Sequence, residues 1–132
     1  MRLRRSFRVF SPREPRGDSR FQRRRPARRH KRAIKRATMR DCGRRCVYCA
    51  TPLAPDTATL DHVLPVSRGG GHAPGNLVIA CAACNQLKGD ALPLEFFAAH
   101  PWAGANFMRY ARAVHRGLKR GARRIVSLAY AA

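Results

Sequence analysis

The sequence predicts an α+β fold: a small module of two strands and a helix, set between two cationic segments. Three observations carry this reading. The charge is segregated along the chain, the cysteines fall in two pairs of one spacing, and the stretch between them alternates β-favouring runs with a glycine-rich loop.

The 132 residues include 28 Lys+Arg against 7 Asp+Glu, a net charge of +21. Residues 1–40 hold 17 basic and 2 acidic side chains, residues 41–104 hold 4 and 5, and residues 105–132 hold 7 and 0. All five cysteines and three of the five histidines lie in the near-neutral middle. No run approaches the roughly 18–20 apolar residues of a membrane span. The opening MRLRRSFRVF has no apolar stretch with a cleavage site, so no export signal is read there and a cytoplasmic location is expected. A chain this basic attracts polyanions, of which nucleic acid is the commonest.

The expected organisation is a basic arm over 1–39, a central module over 40–91 and a basic helical extension over 92–132. Pro12, Pro15, Gly17, Pro26 and many arginines make residues 1–26 an expected disordered stretch. A solubilising tail and an organellar transit peptide are both compatible with that composition. Phosphate-backbone binding is favoured, because each neutralised phosphate releases counterions. From Arg28 to Met39 the breakers vanish, and a short basic helix is predicted.

In the module, residues 58–64 and 77–80 favour strands, 67–75 reads as a loop, and Cys81 to about Asp90 reads as a helix with Gly89 near its end. Beyond it, a short helix entered at Pro93 runs over Leu92–His100. Phe107, Ala111, Val114 and Leu118 then recur at the helical period, and Gly117 and Gly121 weaken that helix toward its end. Arg109, Arg112, Arg116, Lys119 and Arg120 fall mostly outside the apolar stripe. They read equally well as a solvated face and as a second nucleic-acid contact.

Cys46-Val-Tyr-Cys49 and Cys81-Ala-Ala-Cys84 are two CxxC pairs with 31 residues between them. Two such pairs make a tetrahedral thiolate site suited to zinc. Disulfides would require an oxidising compartment. A module of about 60 residues buries only about 60% of its unfolded surface, so a metal staple answers a physical need. Four thiolates leave no open coordination position, which makes this zinc structural. Cys42 is left over and reads as a free thiol.

Between the pairs lie Asp61-His62, Asn76, and then Asn85 and Lys88. Asp61 is a hard oxygen ligand and Asn85 offers an amide oxygen, so together they suit one Mg²⁺ or Mn²⁺. The imidazole of His62, with a reference pKa near 6.5, suits a general base. Neighbours on a strand point to opposite faces, so Asp61 and His62 share a site only if the strand ends or bends there. Asn85 and Lys88 are i, i+3 and share a helix face. His72 reads as a loop residue with at best a phosphate contact, and His30, His100 and His115 receive no role.

Residues about 40–90 resemble the HNH endonuclease family in its zinc-containing form, on Cys46, Cys49, Asp61-His62, Asn76, Cys81, Cys84-Asn85 and Lys88. The resemblance implies a ββα-metal (His-Me finger) fold and a metal-dependent endonuclease acting on DNA. It makes His62 the base that activates water, and Asp61 and Asn85 the ligands of the catalytic ion. Asn76 would fix the loop and orient the base, and Lys88 would neutralise phosphate charge. The expected products carry 5′-phosphate and 3′-hydroxyl ends. The last motif position is a histidine or asparagine in the family, so this chain is an Asn-ending variant. The competing reading is a non-catalytic zinc-ribbon nucleic-acid binder, which needs the charge and the cysteines but not Asp61-His62.

Overall fold

The computed structural model describes residues 28–131. The disordered arm expected over 1–26 lies outside the described residues. Helix α1 spans Arg28–Asp41. Strands β1 (Ala58–His62) and β2 (Leu77–Cys81) follow, then helices α2 (Ala82–Lys88), α3 (Pro93–Ala99), α4 (Pro101–Tyr110) and α5 (Arg116–Ala131). The loop between the strands carries two single 3-10 turns, Val66–Arg68 and Pro74–Asn76. This is a small α+β architecture with a two-stranded sheet, as the sequence predicts.

The strands pair antiparallel, with Ala58 opposite Cys81, Leu60 opposite Ile79 and His62 opposite Leu77. Val78, Ile79 and Ala80 are all fully buried, so β2 has protein on both faces and reads as an unbroken apolar run. Helix α1 packs on the sheet and sends Met39 into the core, with Cys42 just beyond its end. The basic helix is therefore continuous with the fold on one side and polar on the other.

Helices α3 and α4 each open with proline at the first helical position, where a missing N–H costs nothing. Leu92 N–H donates to Glu95 Oε1 at 3.0 Å, which fixes the entry to α3. Phe96, Phe97 and Phe107 close around Tyr48. The Tyr48 and Phe96 rings meet edge-on at 5.2 Å, and Tyr48 lies nearly parallel to Phe107 at 6.3 Å. Gly104 allows α4 to meet its neighbours: a Cβ there would sit 2.7 Å from Val126 Cγ2 and 3.2 Å from Phe97.

The structure corrects two expectations. The run expected to favour a strand over 58–64 stops at His62, where the chain turns into the loop. The stripe Phe107, Ala111, Val114, Leu118 is divided between two helices. α4 ends at Tyr110, a turn follows, and α5 begins at Arg116. Phe107, Ala111 and Val114 are buried all the same, and Leu118 packs against the core. The turn keeps the inward register while folding α5 back over α3 and α4. Gly117 and Gly121 consequently sit near the start of α5, which continues to Ala131.

Candidate active site and metal centre

The four paired cysteines converge. Cys46 and Cys49 stand on a turn after α1, Cys81 ends β2, and Cys84 lies in the first turn of α2. Their sulfurs all lie within 4.8 Å of one another. The Cys49–Cys81 separation of 3.8 Å matches the edge of about 3.8 Å expected for a tetrahedron with Zn–S near 2.3 Å. Backbone amides face the sulfurs: Tyr48 and Cys49 N–H donate to Cys46 Sγ, and Cys84 N–H donates to Cys81 Sγ. Cys81 thereby caps α2 as well.

The protonation pattern fits a cation site. At Cys49, burial opposes ionisation, but hydrogen bonds from Thr51 and the neighbouring thiols outweigh it and bring the thiol down to about 7. Burial raises Cys46 and Cys84, and the neighbouring cysteines add repulsion. The cluster alone cannot carry four negative charges; a divalent ion at its centre removes that obstacle. Cys42 is buried apart from the cluster, and its burial raises its thiol.

The second centre lies where α2 crosses β1. Strand alternation puts Thr59 and Asp61 on one face, and α2 meets that face. Asn85 Nδ2 donates to Thr59 Oγ1 at 2.9 Å and approaches Leu60 O at 3.5 Å. One turn on, Lys88 Nζ donates to His62 O at 3.0 Å and lies 3.4 Å from Asp61 Oδ2. Lys88 is 2% exposed, so its charge is spent on the protein's own acceptors. This differs from the phosphate-facing position that the resemblance implies.

Asp61 is 6% exposed and accepts a 2.7 Å hydrogen bond from the Tyr48 hydroxyl at Oδ2. Burial raises its pKa, opposed by the Lys88 charge and the Tyr48 bond. Both contacts are to Oδ2, which leaves Oδ1 as the oxygen available to a cation. Asn85 commits its amide nitrogen to the strand and keeps its amide oxygen.

His62 is the last residue of β1, so the strand ends where a shared site requires. Its Nε2 lies 3.0 Å from His72 Nδ1, and the two rings meet edge-on. Burial lowers its pKa, the His72 charge lowers it further, and Asp61 opposes both. Asn76 is buried under the loop. Its Oδ1 accepts from Leu64 N–H, and its Nδ2 donates to Leu64 O and Gly71 O. The carbonyl of Asn76 takes Val63 N–H, next to His62. A Cβ on Gly70 would collide with the Leu64 carbonyl, so only glycine lets the loop close this tightly.

The predicted residues thus gather within one hairpin and one helix. Among the described residues, no hydrogen bond joins the Asp61, His62 and Asn85 side chains directly; β1 and Lys88 connect them. Sequence reasoning missed Tyr48 and undervalued His72. Tyr48 carried one usable signal, an aromatic residue held between two metal-ligand cysteines. The His72 contact depends on how the loop folds back, which the sequence does not reveal.

Comparison with known proteins follows the same residues. Residues 46–99 match the family model described as HNH endonuclease. The CRISPR-associated endonuclease Cas9 of Corynebacterium diphtheriae is 37% identical over 46 residues, and that of Actinomyces naeslundii is 39% identical over 46. Each match covers 34% of this chain and 4% of the relative, so the chain corresponds to a small part of these proteins. The crystal structure of the type II-C Cas9 from Actinomyces naeslundii superposes with a TM-score of 0.54 at 21% identity, covering 74% of this chain and 11% of that one. Streptococcus thermophilus Cas9 gives 0.52 at 22%, covering 70% and 10%. These superpositions establish a shared fold. Among the described residues, no helix is long and apolar enough to cross a membrane.

Proposed function

Because residues 46–99 are an HNH endonuclease module, we propose that this chain is a metal-dependent DNA endonuclease, with its flanking basic segments on the phosphate backbone. The observation that carries the reading is the junction at the end of β1. There a buried carboxylate and a half-buried imidazole stand on consecutive residues, beneath a helix that offers an amide oxygen.

Asp61, through Oδ1, and Asn85, through its amide oxygen, would hold Mg²⁺ or Mn²⁺. When bound, such an ion supplies stabilisation of the charge that builds on the phosphoryl group and the departing 3′ oxygen. Tyr48 and Lys88 hold the other carboxylate oxygen and fix its orientation. His62 is the general base. When His62 Nε2–H donates to His72, its Nδ1 is left unprotonated and able to take a proton from water. The lowered pKa keeps that nitrogen free at neutral pH. Asn76 ties down the loop that follows His62 and holds the base in place. Cys46, Cys49, Cys81 and Cys84 would hold Zn²⁺, which keeps the hairpin and α2 in register and takes no part in the hydrolysis.

The test is cleavage of supercoiled plasmid with Mg²⁺ or Mn²⁺, beside His62→Ala. Nicking by the wild type and its loss in the variant are expected. Tight DNA binding without cleavage in either protein would replace the nuclease with the non-catalytic zinc-ribbon binder.

A further inference from the structure

Helix α5 carries Arg116, Arg120, Arg123 and Arg124, all exposed, and residues 105–132 contain no acidic side chain. Gly117, Arg120, Gly121, Arg123, Arg124 and Ser127 line an open groove of about 660 Å³ along this helix. Gly117 has almost nothing above it, and Gly121 seats Leu94 of α3. Gly117 therefore leaves its turn of the helix open beside Arg120, while Gly121 is covered by Leu94.

The charge pattern is wrong for a merely solvated face. Arg116 with Arg120, Arg120 with Arg124, and Lys119 with Arg123 are i, i+4 pairs of like sign, and such pairs destabilise a helix. Burial lowers the Lys119 pKa, and the charge of Arg123 lowers it further, so crowding of cations is already felt there. A face selected for solubility would intersperse carboxylates. The ion pairs among the described residues are Arg68–Glu95 and Lys88–Asp61, and neither involves α5.

The groove also has a fixed relation to the proposed active site. His115, just before α5, donates its N–H to Gly75 O at 3.0 Å. Its ring lies where a Cβ on Gly75 would fall. Gly75 adjoins Asn76 and belongs to the loop that bears His72. The row from Arg116 to Arg124 spans about 12 Å of helix, comparable to the axial rise of three or four base pairs at about 3.4 Å each.

Building on the nuclease reading above, we propose that the α5 groove seats the phosphodiester backbone of the DNA substrate beside the scissile bond. The arginines neutralise successive phosphates, and the open position at Gly117 lets the backbone approach the helix closely.

The test uses the full chain and a fluorescent 20-base-pair DNA duplex without added divalent cation, so that binding is read apart from cutting. Arg120→Gln with Arg124→Gln should weaken binding about 10-fold near 0.15 M salt. It should also reduce the salt slope by about 0.9 for each phosphate that the two arginines no longer neutralise. Its thermal midpoint should equal or exceed that of the wild type, because repulsion is relieved. Ser127→Glu, inside the groove, and Ala129→Glu, outside its lining, change the net charge equally. Only Ser127→Glu should weaken binding by more than about threefold. Equal affinities for these two variants would reduce the effect to net charge and overturn the proposal. So would weakening confined to an RNA duplex of the same sequence. A wild type that binds through the groove but never cuts would sink the nuclease reading while leaving the groove in place.

Discussion

Tyr48→Phe isolates one atom of the proposed site. The ring is fully buried against Phe96, Phe97 and Phe107, and phenylalanine keeps that packing. What disappears is the hydroxyl that donates to Asp61 Oδ2 at 2.7 Å. A hydrogen bond to a charged group contributes about 1.5–3 kcal/mol, partly offset here because the variant no longer buries a hydroxyl. A net stability loss of about 1 kcal/mol follows. The effect on catalysis should be larger than that loss suggests, because Asp61 keeps only Lys88 on Oδ2 and its other oxygen is freer to rotate away from a cation. A rate reduction of about 10-fold corresponds to about 1.4 kcal/mol. The sign on pH is also fixed. The Tyr48 bond lowers the Asp61 pKa against the upward push of burial. Removing it raises that pKa further and shifts metal-dependent cleavage toward higher pH. The assay is plasmid nicking titrated with Mg²⁺, beside zinc content and thermal unfolding. A folded, zinc-loaded Tyr48→Phe protein with the wild-type rate and Mg²⁺ midpoint would refute the reasoning.

Cys84→Ser should lose zinc and the cooperative fold together, since Cys84 closes the cluster from α2; zinc content measured alongside melting checks this, and a zinc-free variant that melts normally would defeat the staple. Gly104→Ala should destabilise by about 1–3 kcal/mol in urea unfolding, because the added carbon meets Val126 and Phe97. The neutral form of His62 is the proposed base and its pKa is held below 6.5, so the acid limb of the cleavage rate should fall below pH 6.5. As the pH falls, a proton on His72 opposes one on His62, so His72→Ala should move that limb upward; a wild-type limb above 6.5 would contradict the assignment.

The metal centre was legible because ligand chemistry is local. Two residues between cysteines fix how their sulfurs can converge, whatever the rest of the chain does. The end of β1 was not legible, since the β-favouring run reads on to residue 64 while the strand stops at His62. Tyr48 was not, because its partner lies 13 residues away and nothing about a tyrosine in sequence says where its hydroxyl ends. The docking of Lys88 against Asp61 was hidden for a related reason. The i, i+3 relation of Lys88 to Asn85 gave the correct face, but whether that face meets solvent or β1 depends on how the helix docks. The Phe107–Leu118 stripe misled by being right about burial: a tight turn preserved the inward register that a continuous helix would have given.

The way α3 and α4 close around Tyr48, with α1 on the same core, bears on how this unit could be transplanted. Met39 and Cys42 on one side, and Phe96, Phe97 and Phe107 on the other, complete the interior that holds the Asp61 hydroxyl partner. A fragment trimmed to the signature residues would keep every motif letter and lose the walls behind them. The portable piece therefore includes α1 and helices α3 and α4, and a graft into another scaffold should take them with it.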